Sequence, residues 1–289
     1  MIVLKRIGIF LLTNLLVMTA ISVIVSLLGL RMDGLWGLLV ICALFGMGGS
    51  FISLLISKSM AKWSYKIQLI QPGNSHSKAA NLLYAIDGMA REKGIKTPEV
   101  GIYQSRDANA FATGSSQNSA LIAFSSGIID RLSDDELAAV AGHELSHITN
   151  GDMVTMTLLM GIVNTFVMFF ARILAFAIDN ALRDNRGGGL GFFGYIMVVT
   201  LLQNGLMLLA YIPISAYSRF REFRADAGAA RLTGAIPMIE ALKQISLAYQ
   251  PDKRTDSYVL AKINNRRRVS LFATHPSIEA RIKKLQEMI

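Results

Sequence analysis

The chain has 289 residues, 52% of them hydrophobic and only 17% charged, with 29 Lys and Arg against 20 Asp and Glu for a net charge of +9. A mean hydropathy of +0.43 excludes both an ordinary soluble domain and a charge-rich disordered chain, and points to a membrane protein carrying a modest polar part. The single cysteine, Cys42, excludes an intrachain disulfide and any cysteine-built metal site, which suits a reducing compartment.

In chain order, the stretch from Ile7 to Leu30 carries no charge, and neither does that from Leu35 to Ser57. Each exceeds the ~20 apolar residues that a helix needs to cross a bilayer, so both are predicted to be transmembrane helices. An export signal is a poor alternative for the first. It is longer than an h-region of about 7–15 residues, lacks a small-residue cleavage site and is followed at once by the second span.

Between the second span and the next apolar run lies a polar segment, residues 58–152. Gln71-Pro72-Gly73-Asn74 breaks the chain before an amphipathic helix from about Ser77 to Lys93, with Ala80, Leu83, Ala85 and Ile86 toward one side. Three short stretches follow, Glu99 to Tyr103, Asn109 to Thr113 and Ala120 to Phe124, the last two joined by Gly114-Ser115-Ser116-Gln117-Asn118. They predict a small antiparallel sheet with a hairpin. Ser133-Asp134-Asp135-Glu136 has the form of a capping box with acidic residues in the first turn, so a helix is expected to run to about Thr149 and stop at Asn150-Gly151.

Two further uncharged runs, Met153 to Ala171 and Gly187 to Ser218, lie on either side of Asp179, Arg183, Asp184 and Arg186, with a Gly187-Gly188-Gly189 turn. They predict a helical hairpin in the bilayer, in which Arg172 snorkels and Gln203 and Asn204 hydrogen-bond to a neighbouring helix. The second polar segment, residues 219–289, is expected to continue as a helix from Arg219 to Leu232. A second helix should run from Ala235 to Ala248, and Ile278, Ile282 and Leu285 line the apolar side of a last one. The expected divisions are therefore 1–57, 58–152, 153–218 and 219–289, with the two polar segments folding together.

Residues 187–289 supply seven of the nine net positive charges. Lys5, Arg6, Lys58, Lys62, Lys66, Arg219, Arg221 and Arg224 border the apolar runs on the side of the polar segments. By the positive-inside rule, both termini and both polar segments face the cytoplasm. Attraction to anionic lipid accounts for these charges, so no nucleic-acid partner is expected.

The chemistry concentrates in His143-Glu144-Leu145-Ser146-His147 on the capped helix. Two histidines four apart project from one helical face, the separation needed for two ligands of one tetrahedral Zn²⁺. Glu144 lies roughly 100° round the same helix, where a carboxylate can take a proton from water. With four His and eight Glu in the chain, chance would produce this pattern on the order of 10⁻³ times. A catalytic site needs a third protein ligand and an open position. The candidates are His76, His275 and the acidic residues, foremost Glu222 in Arg219-Phe220-Arg221-Glu222-Phe223-Arg224-Ala225-Asp226. Spacing alone leaves Glu222 equally well explained as an ion-pair partner of Arg219 or Arg221.

Taken together, these residues resemble the HtpX family of membrane-bound zinc metalloproteases, relatives of the type I CAAX prenyl proteases within the gluzincin metallopeptidases. The resemblance covers essentially the whole chain. It rests on two initial spans, Asn109-Ala110-Phe111-Ala112-Thr113-Gly114, the extended motif from His143 to Asp152, Glu222-Phe223-Arg224-Ala225-Asp226 and Thr274-His275-Pro276. It implies one Zn²⁺ per chain held by His143, His147 and Glu222, with Glu144 as general base. It also implies protein substrates, namely misfolded or damaged proteins of the bacterial inner membrane. The metzincin pattern is absent, since Asn150-Gly151-Asp152 follows the histidine pair.

Asp152 and Asp226 are then expected to hydrogen-bond ligand imidazoles. His275 is a candidate oxyanion donor, or a structural contact ahead of the helix-starting Pro276. Asn109, Ala110, Phe111 and Ala112 are expected on an edge strand that pairs with extended substrate. His76 has no assigned role. The expected fold is α+β and mostly helical: four transmembrane helices carrying a cytoplasmic zincin-like domain with a small antiparallel sheet, its active site close to the bilayer. The competing reading is a membrane scaffold or transporter with a structural zinc. Few intramembrane ionisable groups favour a transport pathway, and a structural site has no need of Glu144.

Overall fold

The computed structural model describes residues 34–71, 78–183, 188–248 and 273–289. The expected span from Ile7 to Leu30 lies outside them, as do Lys5, Arg6, Pro72-Gly73-Asn74, His76 and the Asp184, Arg186 and Gly187 part of the hairpin turn. In chain order the elements are α1 (Gly34–Tyr65), β1 (Gln68–Leu69), α2 (Lys78–Glu92), β2 (Glu99–Tyr103), β3 (Ala110–Gly114) and β4 (Ala120–Ser125). Then come α3 (Ser126–Arg131), α4 (Asp134–Thr149), α5 (Asp152–Leu182), α6 (Gly191–Thr233), α7 (Ala235–Ala248) and α8 (Ile278–Gln286). Among the described residues three helices, α1, α5 and α6, are long and apolar enough to cross a membrane.

Two compact units emerge. One comprises residues 34–49 and 161–207 among those described, and the other Ser50–Met160 with Leu208–Ile289. In the first unit, α1 and α5 approach through glycine: a Cβ on Gly46 would lie 2.6 Å from the backbone nitrogen of Thr165, the small-residue contact that lets helices associate in lipid. The hairpin between α5 and α6 is tied by Asp179, which accepts from the Leu190 N–H at 2.8 Å and pairs with Arg183 at 3.1 Å. Ile162, Phe166, Phe170 and Leu174 recur every four residues and are exposed. Such an apolar stripe is stable against hydrocarbon and costly in water. The side-chain amide of Asn204 donates back to Thr200 O in its own helix at 2.8 Å, rather than to the neighbouring helix expected from sequence.

The second unit is built on a four-stranded sheet of order β1-β2-β4-β3. The antiparallel expectation holds for β3 with β4, and a further strand not expected from sequence, β1, pairs antiparallel with β2, but β2 runs parallel to β4, pairing Glu99 with Leu121 through Tyr103 with Ser125. The sheet is therefore mixed. All six residues of β4 are buried, because Ala120 to Phe124 is apolar without alternation and takes the centre of the sheet, covered on both faces. β3 hairpins onto its outer side, and the chain from β2 must pass over β4 to reach that position, which leaves β2 and β4 parallel. β1, two residues long, is too short to leave a sequence signal. It is followed by no break in pairing: Ile70 N–H donates to Val100 O at 2.9 Å.

Helices α2 and α4 cover the sheet through Leu82, Ile86 and Met89 of α2, Leu137, Val140, Ala141, Leu145 and Ile148 of α4, and Ile122 and Phe124 of β4. The buried face of α2 is thus Leu82–Ile86–Met89, with Leu83 and Ala85 only partly buried. The α4 cap forms as its sequence requires: Ser133 Oγ accepts from Glu136 N–H, and the Glu136 carboxylate accepts from Ser133 N–H at 2.7 Å. A second cluster joins Ala139 of α4 to Ala229 of α6, Met238, Ile239 and Leu242 of α7, and Leu285 of α8.

The crossing of α4 and α6 decides where the site can form. A Cβ on Gly142 would sit 3.4 Å from Ala229 Cα, and one on Gly228 would collide with the Ser146 side chain. Small residues at 142, 146, 228 and 229 therefore allow the two backbones to come close. Replacing Gly228 with Val should separate the helices and destabilise this unit by about 1–3 kcal/mol, read as a lower thermal midpoint of detergent-purified protein. An unchanged midpoint would show that this contact does not limit packing.

Candidate metal centre

Buried α4 carries His143, Glu144 and His147 on turns that face α6, while α6 carries Glu222 and Asp226 one turn apart. The helix crossing brings ligand atoms of His143, His147 and Glu222 within 4.8 Å of one another. The two Nε2 atoms are 3.1 Å apart, and Glu222 lies 3.4 Å from His147 Nε2 and 3.7 Å from His143 Nε2. Donors spaced roughly 3.3 Å apart are what a tetrahedral ion with ~2.0–2.1 Å bonds requires. The residues present fit a divalent metal.

Which nitrogen each imidazole offers is decided by a second pair of carboxylates. His143 Nδ1 donates to Asp226 at 2.9 Å and His147 Nδ1 donates to Asp152 at 2.7 Å. With Nδ1–H committed, each ring turns its Nε2 lone pair inward. Those aspartates are themselves held. Arg281 of α8 forms a two-pronged pair with Asp226 at 2.5 and 2.7 Å, and Arg224 of α6 pairs with Asp152, which is fully buried. Asp152, Glu222 and Asp226 are at most 2% exposed, and Glu144 is 8% exposed. Four buried carboxylates against two hydrogen-bonded guanidinium groups leave a negative surplus that suits a cation.

Burial disfavours charge on His143 and His147, but the carboxylates outweigh it. Asp226 and Glu222 raise His143, and Asp152 and Glu222, with the charge of Glu144, push His147 up to about 9. His275, exposed, turns Nδ1 to Glu222 Oε2 at 3.0 Å, so it faces the same carboxylate as the histidine pair. Pro276 behind it is buried, and Ser277 caps α8. Asn109 precedes β3, where its N–H donates to Ser125 Oγ at 3.1 Å. Ala110, Phe111 and Ala112 lie on the outer strand of the sheet, which packs against α4.

Arg224 and Arg281 were not legible as site residues. In sequence, Arg224 reads as a juxtamembrane charge and Arg281, beside Lys283 and Lys284, as part of a solvated helix. The lone hint is that Arg281 lies five residues after Pro276, one turn into α8.

A buried His-His-Glu group beside a mixed sheet, with a second glutamate on the histidine helix, defines a metal-dependent peptidase. The chain belongs to peptidase family M48, whose family model matches residues 76–289. It is 48% identical to the protease HtpX of Aeromonas hydrophila over 98% of this chain and 99% of that protein, and 47% identical to the protease HtpX of Aeromonas salmonicida over the same shares. The Salmonella arizonae protease HtpX is 44% identical over 97% of each chain. The fold matches the crystal structure of S. mikatae Ste24p with a TM-score of 0.64 at 19% identity, covering 98% of this chain and 64% of the length of that one. With its three apolar helices, the chain is a membrane metalloprotease.

Two predictions follow from the geometry. Arg281→Ala removes the guanidinium that anchors Asp226 and so loosens its hold on the His143 ring, and metal affinity, measured by chelator competition, should fall about 10–100-fold; a change below twofold would remove Arg281 from the support of the site. An imidazolium cannot ligate, and His147 holds its proton up to about pH 9 in the metal-free site. Affinity for divalent metal should therefore rise as pH is raised from about 6 to 9, with protons released on binding. A pH-independent affinity over that interval would contradict this.

Proposed function

We propose that this chain is a zinc-dependent endopeptidase of the bacterial inner membrane that hydrolyses peptide bonds in misfolded or damaged membrane proteins, with both termini and the active site on the cytoplasmic side. His143, His147 and Glu222 hold the ion and Glu144 is the general base. The observation that carries the reading is the convergence of two Nε2 atoms and the Glu222 carboxylate beside the helix face that bears buried Glu144. Lys58, Lys62 and Lys66 at the end of α1, with Arg219, Arg221 and Arg224 on α6, support the cytoplasmic orientation.

A zinc ion held by His143, His147 and Glu222 would supply Lewis acidity toward water and the scissile carbonyl. Glu144 would take the proton from the attacking water and later deliver it to the leaving amine. No covalent acyl-enzyme is required. His275, exposed and turned toward Glu222, donates a hydrogen bond to the oxyanion. Asp152 and Asp226, anchored by Arg224 and Arg281, keep both imidazoles in the ligating tautomer through the cycle. The outer edge of β3, Ala110 to Gly114, which no other strand among the described residues pairs with, accepts an extended stretch of substrate as an added strand.

The scaffold alternative, with a structural zinc, gives Glu144 no role, yet Glu144 is buried where its charge acts on His147 and Arg281. The two readings separate in one experiment on detergent-purified protein. Glu144→Gln should retain metal and lose casein cleavage by at least about 10³-fold, whereas Glu222→Ala should lose the metal itself. Undiminished cleavage by Glu144→Gln would refute catalysis, and normal metal content in Glu222→Ala would move the third ligand elsewhere.

A further inference from the structure

Past the end of β3, the β3–β4 hairpin leans toward the C-terminal end of α4 and the first turn of α5. Between them is a cavity of about 380 Å³, lined by the hairpin from Ser115 to Asn118 and by Ile148, Gly151, Met153 and Val154. We propose that it is a specificity pocket, which receives an uncharged and predominantly apolar side chain of the peptide being cleaved. This rests on the proposed pairing of substrate with β3.

Position is the first argument. Gly114 is the last residue of the outer strand and Ser115 is the first to line the pocket. A peptide paired along Ala110 to Gly114, at ~3.4 Å per residue, is delivered to the pocket mouth about 14 Å further on. The pocket is also lined from the segment that carries part of the metal centre: Ile148 follows His147 in the chain, and Gly151 and Met153 flank Asp152, whose carboxylate holds the His147 ring.

Chemistry is the second argument. Ile148, Met153 and Val154 supply an apolar wall, Ser115, Ser116, Gln117 and Asn118 a polar but uncharged rim, and among the described residues no ionisable side chain lines the cavity. A charged substrate residue would lose hydration there without gaining a counter-ion. A Leu, Met or Phe side chain would bury apolar area at about 25 cal/mol per Å². The cavity volume falls within the ~300–1,000 Å³ of ligand pockets.

The width is also set. Gln117 Nε2 donates to Thr149 O at 2.8 Å, tying the hairpin to the end of α4, and Gly151, at φ 67°, turns the chain there with no side chain to fill the space. Glycine adopts that left-handed conformation at no steric cost.

The test is digestion of casein by full-length, detergent-purified wild type, Val154→Phe and Ser116→Trp, with cleavage sites read by mass spectrometry and aligned on the scissile bond. Val154→Phe fills the pocket from the helix side and Ser116→Trp from the hairpin, so either variant suffices if the other fails to fold. In wild type, one aligned position should be enriched in Leu, Ile, Met and Phe and depleted in Asp, Glu, Lys and Arg. In the variants, preference at that position alone should move toward Gly, Ala and Ser by about 10-fold or more. Identical site frequencies in wild type and a folded variant would overturn the pocket. The Glu144→Gln control keeps the two readings apart. Loss of cleavage there with unchanged profiles in the pocket variants sinks the pocket alone, while persistent cleavage by Glu144→Gln sinks the catalytic reading beneath it.

Discussion

The centre depends on two hydrogen bonds that never touch substrate. Asp226 and Asp152 occupy the Nδ1 atoms of His143 and His147, and so decide that both Nε2 lone pairs point at the same spot. Without those bonds a neutral imidazole can carry its proton on either nitrogen and rotate about χ2. The two rings would then no longer share a focus. An ion-sized focus needs both rotations removed at once, and buried carboxylates do this because a charged acceptor in a dry site forms a short, strong bond.

Burying those carboxylates has a cost that the rest of the unit must offset. Isolated, each would be expensive to desolvate; paired with Arg281 and Arg224 they are retained. The guanidinium groups come from different places: Arg281 from the last helix, Arg224 from the turn of α6 beyond Glu222. The terminal helix α8, docked through Leu285, is thereby part of the site's electrostatics. Its removal would strip Asp226 of its guanidinium partner even though α8 carries no proposed ligand.

The distance in sequence between His147 and Glu222 is bridged by the apolar hairpin, and closing that gap is a packing problem. Glycine and alanine at 142, 228 and 229, with Ser146 between the histidines, are what allow α4 and α6 to touch. These small residues, of which only Ser146 lies within the histidine motif, are those that set the distance between imidazoles and carboxylate.

Much was legible in advance because it is local. The cap at Ser133, the stop at Gly151, the i,i+4 histidines and the apolar runs obey short-range rules of helix termini, helical period and bilayer thickness, so their residue types suffice. The β3–β4 hairpin was readable for the same reason. The β2–β4 pairing was not, since its parallel sense depends on which strand claims the middle of the sheet, a competition decided by burial on both faces. Arg224 and Arg281 stayed hidden because a basic residue on a helix looks alike in sequence whether it meets water or a buried aspartate.

The sequence by itself determined the chemistry on offer: two histidines and a glutamate on one helix, an acidic pair four apart on another, and apolar helices to carry them in a membrane. Only the tertiary structure decided which carboxylate meets the histidines, which nitrogen each ring presents, and which cations stabilise the aspartates behind them. Those outcomes depend on contacts between segments far apart in the chain, where close helix packing and exclusion of water select one partner among several that spacing leaves equivalent.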